Sequence, residues 1–157
     1  MQQEISLIEL DIDDSAHLAT LFSIRSHPDV IPFLRQTPPP DFSHHVHYLR
    51  SLGSEKRFFL VRSASTLVGY CQLTFICQEP TQVEIGMALH PDHCNQGIGS
   101  LALRLLLKRL PPESQVLLYV KKDNYRAMAL YKKFGFNRTC DENEYGEFIY
   151  RLKNLSQ

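Results

Sequence analysis

Hydrophobic residues recur along this chain with two different periods, which together predict a succession of strands and helices. Runs of aliphatic, aromatic and β-branched residues predict strands over residues 5–10, 57–62, 66–76, 83–89, 116–120, roughly 136–140 and roughly 146–152. Apolar residues at helical spacing predict helices over residues 16–24, 41–49, 97–110 and 124–134. Prolines at 28, 32 and 38–40 divide segment 26–41 into short helices and a turn.

The order of these elements indicates the fold class. It runs strand, two helices, three strands, helix, strand, helix and two strands. Such an order predicts a mixed α/β architecture, with about seven strands in one mixed sheet and helices on both faces. A length of 157 residues fits a single domain spanning 1–157.

Composition and charge argue against several classes of function. Lys plus Arg equals Asp plus Glu, at 17 each, so no overall field attracts nucleic acid or an anionic membrane. The N-terminal residues lack a signal-peptide pattern, and no apolar run approaches the ~18 residues of a membrane span. The four cysteines, which form no C-x-x-C pair, are Cys71, Cys77, Cys94 and Cys140. We therefore expect a cytoplasmic protein without a disulfide framework, a zinc knuckle, a nucleic-acid partner or a membrane partner.

A glycine-containing loop between a strand and a helix is the most informative segment. The strand over 83–89 runs into the polar loop 90–96, and the helix that follows begins with Gly97 and Gly99. Helix N-termini present unpaired N–H groups and a partial positive charge, and glycines let a phosphate approach the backbone. A plain strand-to-helix turn, with glycines that serve packing, is the competing interpretation.

Two other phosphate loops are excluded by their spacing. Residues 97–102, Gly-Ile-Gly-Ser-Leu-Ala, formally match the dinucleotide fingerprint, but that motif needs its first glycine at the end of the strand. Here the loop 90–96 intervenes, and no βαβ repeat precedes it. A Walker loop needs Gly-Lys-Ser or Gly-Lys-Thr, which this segment lacks. A dinucleotide-dependent oxidoreductase is therefore not expected.

The second informative segment is the helix over 124–134. Asn124 or Asp123 can cap it, and Gly135 can end it. Tyr131 lies in an apolar stripe with Leu130 and Phe134, so these residues taken alone indicate a core tyrosine.

Taken together, the two segments resemble the signatures of the GNAT superfamily of acetyltransferases. The hexad Cys94-Asn95-Gln96-Gly97-Ile98-Gly99 is similar to the pyrophosphate-binding motif Arg/Gln-x-x-Gly-x-Gly/Ala, with Cys94 in the first position. Residues 120–136 follow the second signature, which is Val, Asn, Ala and Leu-Tyr-x-Lys-x-Gly-Phe. The order of the elements agrees over nearly the whole chain.

The resemblance implies a fold, a cofactor and a reaction. The sheet should be mostly antiparallel, with strands 83–89 and 116–120 splayed apart to admit the pantetheine arm of acetyl-CoA as an added strand. The implied cofactor-binding residues are Met87, Ala88, Leu89, Cys94, Asn95, Gln96, Gly97, Ile98, Gly99, Ser100, Asn124 and Tyr131. The implied activity is transfer of acetyl from acetyl-CoA to a primary amine of a small molecule or a protein N-terminus, by direct attack in a ternary complex. The alternative is a non-catalytic acyl-CoA-binding or regulatory module. A homodimer is compatible with the family.

Two side chains are candidates for the chemistry. Resemblance makes Tyr131 the general acid for the CoA sulfur, and a backbone N–H on the strand ending at Leu89 the oxyanion donor. An alkylammonium must lose a proton before it attacks, and Glu84 is the only carboxylate on the strand that enters the cleft. Alternation places Glu84 opposite Val83, Ile85 and Met87. An ion pair with a neighbouring Lys or Arg is the competing role for Glu84.

Histidines and acidic residues remain as secondary candidates. Metal ligands on a helix favour i, i+4 or i, i+3 spacing, whereas His44, His45 and His47 offer i, i+1 and i, i+3, and we expect no metal. They are interpreted either as solvated surface histidines or, in one case, as a residue near the acceptor. The acidic turn 141–144 is either a solvated hairpin or the mouth of a site for cationic amines.

Overall fold

A seven-stranded sheet organises the molecule in the computed structural model, which describes residues 4–35 and 40–152. The strands are β1 Ile5–Glu9, β2 Lys56–Ser63, β3 Thr66–Gln78, β4 Thr81–Leu89, β5 Gln115–Val120, β6 Asn137–Glu142 and β7 Phe148–Leu152. The helices are α1 Ser15–Arg25, α2 Phe42–Ser51, α3 Ile98–Leu107 and α4 Tyr125–Lys133, with 3₁₀ turns at Ile31–Phe33 and Pro91–His93. The predicted order of elements and the mixed α/β class are confirmed.

Strand order in the sheet is β1-β2-β3-β4-β5-β7-β6, and every neighbouring pair except β4 and β5 is antiparallel. The parallel pair needs a crossover, which α3 supplies. Its register contains the pairs Gln82–Gln115, Val83–Val116 and Glu84–Leu117, although β4 continues to Leu89. The two strands therefore part after Glu84, as the resemblance predicted.

Alternation along the strands divides the core into two layers. In β2, Phe59 and Val61 face the layer beneath α3 and α4, whereas Phe58 and Leu60 face the layer beneath α1 and α2. Both pairs are buried, which is why β2 is apolar at consecutive positions rather than alternating. Tyr131 belongs to the first of these layers.

Two predicted boundaries were wrong. The helix α3 ends at Leu107 rather than at residue 110, because the N–H groups of Arg109 and Leu110 donate to carbonyls three residues earlier, and these residues form a turn before Pro111. The predicted acidic turn is divided, since Asp141 and Glu142 lie on β6. Part of the proline run, residues 38 and 39, lies outside the described residues. Among the described helices, none is long and apolar enough to cross a membrane.

Candidate functional site

The gap between β4 and β5 leaves the main chain at the end of β4 without a described strand partner on the β5 side. Met87, Ala88 and Leu89 are half-buried there, and they pair with β3 on the other side of the strand. No pair between β4 and β5 is described beyond Glu84–Leu117 in residues 40–152. An extended ligand segment could add to this edge in the way that a peptide adds to a sheet.

The loop between β4 and α3 contains two residues with left-handed backbone conformation. Asn95 and Gly97 have φ angles of 63° and 79°, a region that asparagine tolerates and glycine prefers. The Gln96 side chain donates from Nε2 to the Asp92 carbonyl at 3.3 Å, and the His90 N–H donates to the Val68 carbonyl at 2.8 Å. The Cys94 thiol lies 3.8 Å from the His90 carbonyl. The loop is thus held by its own contacts and by β3.

The N-terminus of α3 differs from those of the other three helices. Asp14, Asp41 and Asn124 each cap their helix with a side-chain oxygen, whereas α3 begins at Gly97 with no side-chain cap in the described structure. The N–H groups of the first turn, from Ile98 to Ser100, precede the first helical hydrogen bond from Leu101 to Gly97. This terminus can therefore accept an anion as its cap.

The two glycines of this loop have different roles. A Cβ at Gly97 would meet no heavy atom within 4 Å, so the space beside it is open. A Cβ at Gly99 would lie 3.6 Å from Leu130 and 3.9 Å from Leu89, within a packed contact between α3, α4 and β4. Gly97 thus fits a cradle for phosphate, and Gly99 serves packing. Ile98 is fully buried, and its side chain packs in the core.

Asn124 and Tyr131 lie on α4, on the α3 and α4 face of the sheet. Asn124 Oδ1 accepts from the Ala127 N–H at 3.2 Å, so its cap role is real, and its amide NH₂ is a further donor. Tyr131 retains only 6% of its surface exposed and packs edge-on against Phe136 at 5.7 Å between ring centroids. Burial raises the pKa of Tyr131, and the nearby Cys71 and Tyr70 raise it further. The hydroxyl therefore stays protonated at neutral pH.

Glu84 lies on the opposite face of β4 from the buried Val83 and Ile85, as alternation predicted. Its Oε1 accepts from Arg35 Nη2 at 3.4 Å, so the ion-pair role exists. Burial raises the pKa of Glu84, while the charges of Arg35 and Lys56 oppose that rise. The net upward direction leaves a carboxyl group suited to accepting a proton.

Two residues beside Glu84 were not found from the sequence. Arg35 Nε donates to Glu147 Oε1 at 2.8 Å, so one guanidinium joins both carboxylates. Glu147 is almost fully buried just before β7, where it follows Gly146 in the chain. A carboxylate directly before a mostly apolar strand was the available signal for Glu147, and it did not indicate a partner.

The three neighbouring histidines separate into two environments. His44 and His47 are exposed, and His44 Nδ1 lies 2.8 Å from Asp41 Oδ1. The surface interpretation was wrong for His45, which is fully buried, because its position four residues before Leu49 places it on the inward stripe of α2. Neither ring nitrogen of His45 has a described hydrogen-bond partner. No group of three metal-ligating side chains assembles among the described residues, and absence of a metal stays a prediction.

Comparisons with known proteins agree with this geometry. Residues 20–136 match the model of the Acetyltransferase (GNAT) family. The acetyltransferase PseH of Campylobacter jejuni subsp. jejuni serotype O:2 is 26% identical over 137 residues, which cover 84% of this chain and 84% of that protein.

Solved structures share the fold at lower identity. The C. jejuni N-acetyltransferase PseH in complex with acetyl coenzyme A has a TM-score of 0.71 at 22% identity, covering 96% of this chain and 99% of that one. An aminoglycoside acetyltransferase, AAC(6')-Ib, in complex with coenzyme A has a TM-score of 0.80 at 18% identity, covering 96% and 95%. A Vibrio cholerae spermidine N-acetyltransferase in complex with CoA and spermine has a TM-score of 0.75 at 18% identity, covering 94% and 92%.

Proposed function

Because the chain belongs to the acetyltransferase (GNAT) family and is an acyltransferase, we propose that it moves acetyl from acetyl-CoA to a primary amine. The acceptor is an amine of a small molecule or of a protein N-terminus, and the amine attacks the thioester directly in a ternary complex. One observation carries the proposal. The N-terminus of α3 has Gly97 at its cap position and no side-chain cap among the described residues. It follows the end of β4, where β4 is no longer paired with β5.

The fit of coenzyme A rests on that terminus and on the open strand edge. The N–H groups of Ile98, Gly99 and Ser100, with the loop residues 94–97, would hold the diphosphate. The main chain of Met87 to Leu89 would pair with the pantetheine amides, and the NH₂ of Asn124 would donate to the same arm or to a water. No side chain in the described structure fills the space beside Gly97, which supports this placement.

The reaction then needs three proton movements. An ammonium has a pKa of about 10, so Glu84, directly or through water, takes its proton before attack. The nitrogen lone pair forms the C–N bond, and a backbone N–H at the end of β4 stabilises the resulting oxyanion. As the C–S bond breaks, Tyr131 donates its hydroxyl proton to the departing sulfur, and the excess proton on the nitrogen then passes through water to restore the Tyr131 hydroxyl.

Two features support the division of roles between these side chains. Tyr131 is protonated at neutral pH, because the ordinary pKa of a tyrosine is about 10 and burial raises the pKa of Tyr131 further, and this is the state that a proton donor needs. Burial also raises the pKa of Glu84, which brings a carboxylate closer to the basicity of a useful general base. Glu84 acts on the amine and Tyr131 acts on the departing sulfur, and the two side chains lie on different faces of the sheet.

Charge favours a cationic acceptor. Glu84 and Glu147 face the same side of the gap, and the neighbouring β6 and its turn carry Asp141, Glu142 and Glu144. The proteins of the same fold named above include a spermidine N-acetyltransferase and an aminoglycoside acetyltransferase. We propose the same general class of acceptor, an amine that is protonated in solution.

The test combines binding with turnover. Isothermal calorimetry with coenzyme A should give a one-to-one complex, and CoA release should be detected over amino acids, polyamines, aminoglycosides, amino sugars and N-terminal peptides. With a thiol reagent, the signal of the protein's four cysteines is subtracted. Absence of coenzyme A binding would overturn the proposal. Binding without turnover across the panel would favour the non-catalytic module, and sedimentation of the same sample would show whether the chain is a homodimer.

A further inference from the structure

Arg35 connects two carboxylates that are distant in sequence. Its Nε donates to Glu147 Oε1 at 2.8 Å, and its Nη2 donates to Glu84 Oε1 at 3.4 Å. Both carboxylates are largely buried, with side-chain exposures of 5% for Glu147 and 16% for Glu84. Two like charges at this burial need a shared counter-ion, and the guanidinium is one that can reach both.

Aromatic rings and a backbone tether hold Arg35 in place. Its guanidinium carbon lies 4.5 Å from the ring centre of Tyr119 on β5 and 5.4 Å from that of Tyr145. Lys121, directly after β5, donates from Nζ to the Pro32 carbonyl at 2.8 Å. The segment leading to Arg35 is thus attached to the end of β5 at two points, which restricts the positions that the guanidinium can take.

Glu147 is fixed from its own side by Asn143. Asn143 donates from Nδ2 to Glu147 Oε1 at 2.7 Å, and Asn143 Oδ1 accepts from the Glu147 N–H at 2.9 Å. The hydrogen bonds described for both carboxylates therefore fall on Oε1. The second oxygen of Glu84 and of Glu147 is the part of this network that is open to a further donor.

The charges that face Glu84 come from three directions. Arg35 precedes α2, Lys56 begins β2, and Glu147 precedes β7. Arg35 and Lys56 lower the pKa of Glu84, whereas burial and the charge of Glu147 raise it. Removal of Arg35 would leave two neighbouring carboxylates with a single, more remote cation.

We propose that Arg35 is a positioning residue for acyl transfer, because it shares its guanidinium between Glu84 and Glu147 and orients the Glu84 carboxylate toward the acceptor amine. The two carboxylates and the guanidinium that joins them carry one net negative charge among themselves, which complements a single ammonium group, while Lys56 faces Glu84 from β2 without a described contact. Glu147 thus contributes to recognition of the acceptor's charge without taking its proton. This inference rests on the proposed function, in which Glu84 is the base.

The experiment compares four variants. R35Q removes the shared cation, R35K keeps a charge but not the fork that reaches both carboxylates, and E147Q removes the second anion. R50Q is the matched control, since Arg50 is an exposed arginine whose guanidinium lies 3.8 Å from Asp13. For each variant, kcat and KM are measured against pH with the best amine of the panel. Coenzyme A affinity is measured by calorimetry.

A second readout does not depend on turnover. Protein labelled with ¹³C at the glutamate carboxyl carbons is titrated by NMR without any substrate, and E84Q identifies the Glu84 signal. The pKa of Glu84 measured in this way reports how Arg35 and Glu147 act on its carboxylate. Absence of turnover with every amine would overturn the proposed function, whereas the NMR titration would still decide whether Arg35 controls the Glu84 carboxylate.

R35Q and E147Q should shift the pKa of Glu84 in opposite directions. In R35Q the Glu84 titration moves to higher pH, and kcat/KM for the amine falls about tenfold at mildly acidic pH and less at alkaline pH. In E147Q the titration moves to lower pH, and KM for the amine rises while KM for acetyl-CoA is unchanged. R35K restores part of the R35Q loss, and R50Q behaves as the parent protein. An unmoved Glu84 signal in R35Q, or equal effects in R35Q and R50Q, would overturn the inference.

Discussion

Glu84 and Tyr131 lie on opposite faces of the sheet: Glu84 is the last residue of β4 paired with β5, and Tyr131 lies in the layer beneath α3 and α4. Glu84 alternates with Val83 and Ile85, which pack in the same buried layer as Tyr131. In a continuous sheet the backbone would separate the two side chains. Here the parallel pairing ends at Glu84–Leu117, and the proposed reaction has a ligand in this gap approached from both faces.

Replacement of Tyr131 by phenylalanine tests the proton donor. The variant keeps the ring that packs on Phe136, so we expect kcat to fall roughly 100-fold with little change in the affinity for acetyl-CoA. Steady-state kinetics and calorimetry measure the two quantities. Tyr150→Phe is the control, because Tyr150 is an equally buried tyrosine of the same layer. An unchanged kcat in Tyr131→Phe would remove this residue from the role.

Replacement of Gly97 by alanine tests the diphosphate cradle. The methyl group costs about 1 kcal/mol at a positive φ and would project into the open space where the diphosphate is proposed to bind. We expect coenzyme A affinity to fall about tenfold or more, measured by calorimetry. Gly146→Ala is matched, since Gly146 has a φ of 74° and equally open surroundings in the β6–β7 turn. Equal coenzyme A affinities in the two variants would contradict the cradle.

Replacement of Glu84 by glutamine tests the base through pH dependence. Burial raises the pKa of Glu84, so its carboxylate is lost as pH falls through a value above that of an exposed glutamate. We expect an acid limb in kcat/KM for the wild type, and in Glu84→Gln a roughly 100-fold lower rate without that limb. Glu9→Gln, which removes an exposed carboxylate paired to Arg57 at 2.8 Å, should leave the profile unchanged. Persistence of the acid limb in Glu84→Gln would assign it to another group.

Buried His45 should make the fold sensitive to acid. Burial lowers its pKa to about 4, and the neighbouring charge of Arg25 acts in the same direction. The unfolded chain, with a histidine pKa of about 6.5, binds this proton first, so stability falls as pH drops from about 6.5 toward 4. The full loss is at most about 3 kcal/mol, and this group contributes no pH dependence above that window.

Denaturant unfolding at pH 7 and pH 4.5 measures this effect. His45→Phe should weaken the difference between the two pH values, because it removes the group that takes up the proton. His47→Gln, on the exposed side of the same helix, is the control and should retain the full difference. A wild-type difference that survives unchanged in His45→Phe would show that other groups cause it.

Local sequence signals determined much of this protein. Alternation and helical spacing predicted the order of strands and helices, and Asn124, one of the two cap candidates for the helix over 124–134, caps α4. The loop before Gly97 and the pattern around Tyr131 identified the family. These features depend on residues that lie within a few positions of one another, where backbone geometry and hydrogen bonding act directly.

Tertiary structure alone decided the surroundings of the candidate site. Arg35 is 49 residues from Glu84 and 112 from Glu147, and no periodicity in the sequence relates positions so far apart. The different roles of Gly97 and Gly99 depend on Leu89 and Leu130, which approach one glycine and not the other. Burial of His45 likewise depends on which face of α2 packs on α1. Sequence fixes local conformation through near neighbours, whereas charge pairing and burial depend on segments that only folding brings together.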